Sequence, residues 1–546
     1  MFRQLLKPRY LVGASAAIVG TAAVAGQVAC YYDPGTKRSM QFWGEVFPIF
    51  MHYRFYQLLN RDLKIMDDVT AETKYNELHD LYTERVKDLT YRLRGFYLKH
   101  AQLMSVQDDF VPPAYLKWMK DTQDNVPACF EGTGAREYVR GKLKEELGLD
   151  FDEVFSEWDD VPLGTASIGQ VHKATLKSNG KTVAVKLLIP GMEETFRSDI
   201  RTIKTFCEMA MPQHVPAFDE IEKQFCSEFD YRKEGENLEL IRNAITPKWG
   251  KHFEVPKPYL NLCSKHVLIM DYLEGIKLVD GIRKEFKKIA KLTGRSAEEL
   301  EAEFKEKIKN GTFHFRTLEE NQVERRKIQW YMTLNDCIFT PNLLKLAYNY
   351  SPLSFFTGPM KCEWSELPMD LGNVIEKLCL VHGSQIFEHG SFNGDPHPGN
   401  ILLLKDGCMG LIDYGQVKHM TTEERIKLAK LTLAHSRMDK DEVVRIHFDE
   451  LGVVTKYRNA DVAYRMSAFY NDRDTFDVCQ GMNMVDFLDY LEAQDPVVKL
   501  ADPYLFACRV SLMMRGLGKA FGLQLRMSKM WESEARELLK QNNIEY

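Results

Sequence analysis

An α+β fold is predicted by three textures of the chain. Between about Met66 and Met104, the residues Leu78, Leu81, Tyr82, Val86, Leu89, Leu93, Phe96 and Leu103 recur at three- and four-residue steps, the period of a helix with one apolar stripe. From Phe155 to Ile189 this period gives way to short apolar runs separated by Gly and Asn, the signature of strands and tight turns. After Asp413 the pattern returns to helix at Thr421-Thr-Glu-Glu424, a capping-box sequence, and stays helical to the end.

A chain of 546 residues exceeds the size at which single cores stop growing, so more than one folding unit is expected. Charged residues make up 27% and hydrophobic ones 45%, ordinary globular values, and a formal net charge of -6 gives no reason to expect nucleic acid as a partner. Eleven cysteines are scattered without a C-x-x-C, so neither a zinc site nor a disulfide framework is signalled. Residues 10–32 carry no charge, Arg3, Lys7 and Arg9 precede them, and the first acid is Asp33. That length suits a membrane-crossing helix or a targeting segment, and the basic, acid-free start favours an organelle, a mitochondrion (inner membrane) above a plastid.

The elements follow in order. Pro112-Pro113 ends the first helical region, and Tyr115 to Met119 begins another short helix before Pro127. Val171 to Leu176, the turn Ser178-Asn-Gly180 and Thr182 to Ile189 form a hairpin, with a small-residue loop leading into it. Val267 to Asp271 is a further strand, and Tyr272-Leu-Glu-Gly275 leads out of the sheet. Lys277 to about Ile328 is dense in charge with thin apolar periodicity, which predicts a solvated helical insertion. A Pro-, Phe- and Gly-containing stretch from Thr340 to Met360 closes it, a place for a membrane or partner contact.

Four motifs carry the chemistry. Pro162-Leu-Gly-Thr-Ala-Ser-Ile-Gly-Gln-Val171 holds a loop of small residues, Gly164, Thr165, Ala166, Ser167, Ile168 and Gly169, followed by Gln170 and Val171, whose backbone can approach phosphate oxygens. Lys186 ends Val183-Ala-Val-Lys186, placed to reach the α- and β-phosphates. Such a lysine needs an orienting acid, and Glu234 is the candidate. Asp395-Pro-His-Pro-Gly-Asn400 sets a catalytic carboxylate, Asp395, five residues before Asn400, and Asp413-Tyr-Gly-Gln416 adds a second hard oxygen ligand for magnesium. Asp271 and Leu273, where the chain leaves the sheet, join the cofactor-binding set. His397, between two prolines, is read as orienting its turn. In this order the motifs predict a bilobal protein-kinase-like fold binding ATP and Mg2+. The organisation expected is a targeting or transmembrane segment over 1–33, a helical N-terminal extension over 34–150, an N-terminal lobe over 151–275, a connector with the charged insertion over 276–365 and a helical C-terminal lobe over 366–546.

The chain resembles the UbiB/ADCK atypical kinases, in a mitochondrial ADCK-like branch. The family's K-x-G-Q motif matches Lys99-His-Ala-Gln102, its E-x-D motif matches Glu228 and Asp230, its helix-C glutamate falls on Glu234, its alanine-rich loop on Gly164 to Gln170, and DPHPGN is complete. The chain departs from the pattern at Ala101 for glycine, Gly164-Thr for two alanines, Asn393 for histidine and Tyr414 for phenylalanine. The resemblance implies ATPase activity or phosphorylation of a small molecule or lipid, membrane association and a role in lipid or quinone homeostasis. It also implies that Lys99 and Gln102, with Glu228 and Asp230 as partners, gate the nucleotide pocket. Nothing after Asp413 resembles a phosphorylatable activation loop ending in A-P-E, which disfavours peptide phosphorylation. The rival expectation is a catalytically weak, nucleotide-sensing scaffold for a lipid-metabolism partner, a protein the sequence leaves unnamed.

Overall fold

A computed structural model of the protein describes residues 34–105, 111–122, 126–130, 132–166, 168–210, 222, 227–310, 312–365, 367–499 and 502–546. The apolar segment at 10–32 and Ser167 lie outside the described residues. Internal contacts divide the chain into two units, Met1–Glu236 with Pro258–Tyr272 and Asn237–Lys257 with Leu273–Tyr546. The strands in chain order are β1 (Phe155–Thr165), β2 (Gly169–Leu176), β3 (Thr182–Leu188), β4 (Phe253–Glu254), β5 (Val267–Asp271), β6 (Gly275–Lys277), β7 (Ser391–Asn393), β8 (Ile401–Leu404), β9 (Met409–Leu411), β10 (Val417–His419), β11 (Val454–Thr455) and β12 (Val497–Lys499).

The first unit is built on an antiparallel sheet ordered β1-β2-β3-β5. Strand alternation sends Val183, Val185 and Leu187 of β3 to one face, where they join Val267 and Ile269 of β5 in a core closed by Ala135, Val139, Leu143 and Phe151 from the preceding helical segments. The same alternation turns Lys186 to the opposite face. The small-residue loop leads into the β2–β3 hairpin as expected and is also the tip of a β1–β2 hairpin: Gly164 and Thr165 end β1, paired with Val171 and Gln170.

The helical region expected from about Met66 to Met104 is two helices, Asp68–Leu93 and Gly95–Met104. Arg94 and Gly95 between them have φ of 53° and 49°, a left-handed conformation that suits glycine and stops helix propagation. A Cβ on Gly95 would lie 3.2 Å from Met192 Sδ and 3.4 Å from Asp199 Oδ2, so the chain turns where another helix comes close. Arg38 clasps the break by donating to the Leu93 carbonyl and, through both nitrogens at 3.0 and 2.7 Å, to Asp199. A cation at a helix C-terminus complements the dipole there. Burial nevertheless pushes the Asp199 carboxyl up to about 6, against the lowering effect of Arg38.

The second unit holds a sheet ordered β4-β9-β8-β6 and a β7–β10 pair, with helices making most of its mass. Thr421 caps Thr422–Arg437 through the reciprocal bonds with Glu424 that the sequence pattern requires. The charged region forms helices Leu278–Thr293, Ala297–Lys309 and Leu318–Phe339, the last two opened by capping boxes at Ser296 and Thr317. No helix among the described residues is long and apolar enough to cross a membrane.

Candidate functional site

In the first unit, the hairpin tip is closed by Ala166 N–H donating to the Gly169 carbonyl at 2.7 Å and by Ile189 N–H donating to the Ile168 carbonyl at 2.9 Å. Gly169 has to lack a side chain: a Cβ there would sit 2.2 Å from the Tyr231 hydroxyl and 3.1 Å from the Leu187 carbonyl oxygen. Val171 pairs with Lys186 across the β2–β3 ladder and shares its face. The structure brings Lys186 and Glu234 together, the ammonium donating to both carboxylate oxygens at 2.7 and 2.9 Å. Glu234 is 4% exposed, so this is a desolvated, charge-assisted contact, and the Tyr231 ring lies 5.1 Å from the same ammonium.

Gln170 has a different place from its loop neighbours. It is fully buried, its Oε1 accepts from Cys129 N–H at 2.9 Å, and its Nε2 donates to His172 Nε2 at 2.8 Å. His172 must then carry its proton on Nδ1, which donates to the Asp159 carbonyl, and burial lowers its pKa in keeping with a neutral ring. The Gln170 side chain therefore braces the hairpin from behind. Asp271, at the end of β5, accepts from the Tyr259 hydroxyl at 2.8 Å; Leu273, 8% exposed, opens the second unit.

The K-x-G-Q-like segment lies on Gly95–Met104. Lys99 Nζ is 3.6 Å from Glu228 Oε2, and Gln102 donates to the Thr122 carbonyl at 2.8 Å. Asp230 is engaged elsewhere: Arg232 donates to it twice, at 2.9 and 2.7 Å, and holds its carboxyl below the usual carboxylate range. Of the two acids expected beside Lys99, the structure brings only Glu228 to it.

In the second unit, register explains how distant motifs meet. Ile401 of β8 faces Leu411 of β9, and Ile412 N–H donates to the Asn400 carbonyl at 3.2 Å, so Asn400 and Asp413 emerge at the same end of one hairpin. Asn393 ties three segments. Its side-chain oxygen accepts from Asp395 N–H at 2.9 Å, its amide donates to the Asp413 carbonyl at 3.0 Å, and its own N–H donates to Gln385 at 3.2 Å. Gln385 in turn donates to the Tyr414 hydroxyl at 3.2 Å, and burial raises that phenol's pKa. The two departures Asn393 and Tyr414 thus belong to one buried network with Gln385. His397 accepts from Gly399 N–H at 3.1 Å, which fixes the turn. Asp395 also receives a donor from far along the chain: Arg509, on helix Asp502–Ala520, donates to Oδ1 at 3.0 Å. Arg509 and Gln385 escape sequence reasoning because neither stands in a motif and each is placed only by tertiary packing.

The donor set suits magnesium. Asn400 and Asp413 offer hard oxygens from one hairpin end, and no group of three or more His, Cys, Asp or Glu among the described residues could hold an ion alone. Magnesium ordinarily takes one or two side-chain oxygens and completes its shell with phosphates and water.

The sequence profile of the ABC1 atypical kinase-like domain matches residues 123–315 and 361–447. The chain belongs to this family. Members of the ABC1 family similar to it include AarF domain-containing protein kinase 1 of Xenopus laevis, 25% identical over 70% of this chain and 58% of that one. Protein ACTIVITY OF BC1 COMPLEX KINASE 8, chloroplastic, of Arabidopsis thaliana is 28% identical over 80% of this chain and 46% of that one. The probable protein kinase UbiB of Aliivibrio fischeri is 26% identical over 67% of this chain and 54% of that one. The chain therefore spans about half the length of these relatives. The fold is the kinase-like fold of the ABC1 domain, and residues 316–360 fall between the two matched segments.

Proposed function

We propose that the protein is a Mg-ATP-dependent atypical kinase or ATPase that acts on a small-molecule or lipid acceptor, or on water, at a mitochondrial membrane. The observation that carries this reading is the Lys186–Glu234 pair at 2.7 Å on the face shared with Val171, beneath a hairpin tip of small residues. Such a lysine is oriented for phosphate oxygens, and the tip's backbone N–H groups add further donors. Asn400 and Asp413 would hold the magnesium ion, which supplies charge neutralisation on the phosphates. Asp395, oriented by Asn393, would accept the proton of the attacking hydroxyl. Membrane association rests on the uncharged residues 10–32 and the basic residues before them.

The scaffold reading draws its support from one contact: Arg509 engages the Asp395 carboxylate that catalysis would use. Mg-ATP binding and hydrolysis measured on the purified full chain, with and without anionic lipid vesicles, decides between the two. Magnesium-dependent hydrolysis that Asp395→Asn removes supports the enzyme; nucleotide binding with no turnover under any condition supports the scaffold; absence of both sinks the nucleotide reading.

A further inference from the structure

The helices Leu318–Phe339, Asn342–Asn349 and Pro352–Thr357 carry large apolar side chains into solvent. Along the first, Val323, Trp330, Tyr331, Leu334 and Ile338 are between 41% and 64% exposed. At 100° per residue their positions fall within about one quadrant and a little more of the helix surface, a stripe that Lys327 interrupts between Val323 and Trp330. Beyond it Leu343 and Leu344 are 61% and 74% exposed, Tyr350 and Phe355 both 89%, and Phe356 84%. Phenylalanines exposed to that degree gain nothing from folding, and so many exposed large apolar side chains within about 35 residues mark an interaction site.

Charge tells what the patch meets. From Ile328 to Met360 the sequence holds only two ionisable carboxylate or ammonium groups, Asp336 and Lys345, in a chain that is 27% charged. Neither stands free on the patch: Asp336 is 4% exposed and accepts from Ser365, and Lys345 pairs with Glu363 at 3.1 Å. At the border stand Arg326, Lys327 and Lys361, all exposed and, among the described residues, without a carboxylate partner. Among the described residues, the acids next to these cations in sequence are already taken, Glu324 by Arg316 and Glu363 by Lys345. An apolar tip rich in Trp, Tyr and Phe, collared by unpaired cations, has the composition of a surface that sits at the level of lipid headgroups. A protein partner would ordinarily meet a polar rim of both signs.

We infer that residues 323–361 form a docking surface for an anionic lipid bilayer, with Phe355, Phe356 and Trp330 entering the interface and Arg326, Lys327 and Lys361 engaging phosphate headgroups. All of this surface but Lys361 lies in the segment outside the family match, and it is independent of the nucleotide reading and of residues 10–32.

The test uses the full chain with vesicles of phosphatidylcholine alone or mixed with phosphatidylglycerol, and brominated phosphatidylcholine as a depth-sensitive quencher. Trp330 should be quenched in the bound protein, seen as the part of the quenching that Trp330→Phe removes. Phe355→Ser with Phe356→Ser should weaken binding to the mixed vesicles about tenfold or more. Arg326→Gln, Lys327→Gln and Lys361→Gln together should weaken it on the order of a hundredfold at low salt, with little change on phosphatidylcholine alone. All sites are exposed, so the melting temperature should hold. Bound protein whose Trp330 is not quenched overturns the proposal, because another part of the chain then holds the membrane. So does a concentration-dependent dimer that the Phe355 and Phe356 changes dissociate while vesicle binding stays unaltered.

Discussion

Arg509 holds Asp395 across 3.0 Å, although 114 residues separate them in sequence. Both side chains are partly buried, 29% and 19% exposed, so the contact is stronger than a surface pair and weaker than a core one. It restricts the rotamers of the carboxylate that the proposed function makes the proton acceptor.

Arg509→Gln should therefore lower ATP turnover about tenfold or more while leaving Mg-ATP affinity within about twofold, the signature of lost positioning rather than lost binding. Arg509→Lys should recover part of the loss. Steady-state hydrolysis alongside nucleotide titration reads both; unchanged turnover in the glutamine variant removes Arg509 from the site.

Lys99 and Glu228 should act as a unit and Asp230 should not. Lys99→Ala and Glu228→Gln are expected to change ATP affinity or turnover in the same direction, about threefold or more, with the double variant no worse than either single one. Asp230→Asn, whose partner is Arg232, should stay near wild type. Additive effects of the Lys99 and Glu228 changes would show that their 3.6 Å contact does not couple them.

Tyr414→Phe leaves the Gln385 amide, fully buried, without its hydroxyl acceptor. An unsatisfied buried donor costs about 1–3 kcal/mol, so the melting temperature should fall even though phenylalanine is the family's residue at this position. Asn393→Ala releases Asp395 and Asp413 from their shared tie and should reduce turnover more than stability. A rise in melting temperature for Tyr414→Phe would contradict the network.

Acid should weaken the second unit through its histidines. His382, His435 and His447 are buried in its helical core, and burial pushes each down to about 4. Unfolded, a histidine takes up its proton near pH 6.5, so below that pH the unfolded chain binds more protons than the folded one. Stability is then complete above about pH 6.5 and declines toward pH 4, by up to about 3 kcal/mol per histidine. Thermal melts between pH 7.5 and 5 should show this fall, and His435→Asn should flatten it; a melting temperature level from pH 7.5 to 5 would falsify the assignment.

What the sequence disclosed was whatever short spacing encodes. The β2–β3 hairpin, strand β5, the Thr421 cap and the small-residue loop all follow from neighbours within a few residues, and each is found where periodicity and turn chemistry put it. Lys186 was legible because strand alternation alone sets its face. The break at Arg94 was not, since the apolar stripe runs on through it and only the approach of Met192 and Asp199 gives Gly95 its reason. Gln170 read as part of the loop because it adjoins the small-residue tip, whereas its buried bond from Cys129 depends on a segment 41 residues earlier. Arg509 and Gln385 lie beyond any local rule.

The break at Arg94 and Gly95 also separates two phases of rotation. In an unbroken helix every residue inserted or removed before Lys99 would swing that ammonium by about 100° around the axis. Here the second helix takes its bearing from Gly95, seated against Met192 and Asp199, and from Gln102 bound to Thr122. The angular setting of Lys99 against Glu228 is therefore fixed from the break onward, by contacts of its own short helix, while Asp68–Leu93 keeps a separate register set by its own buried face, Ala71, Leu78 and Leu89.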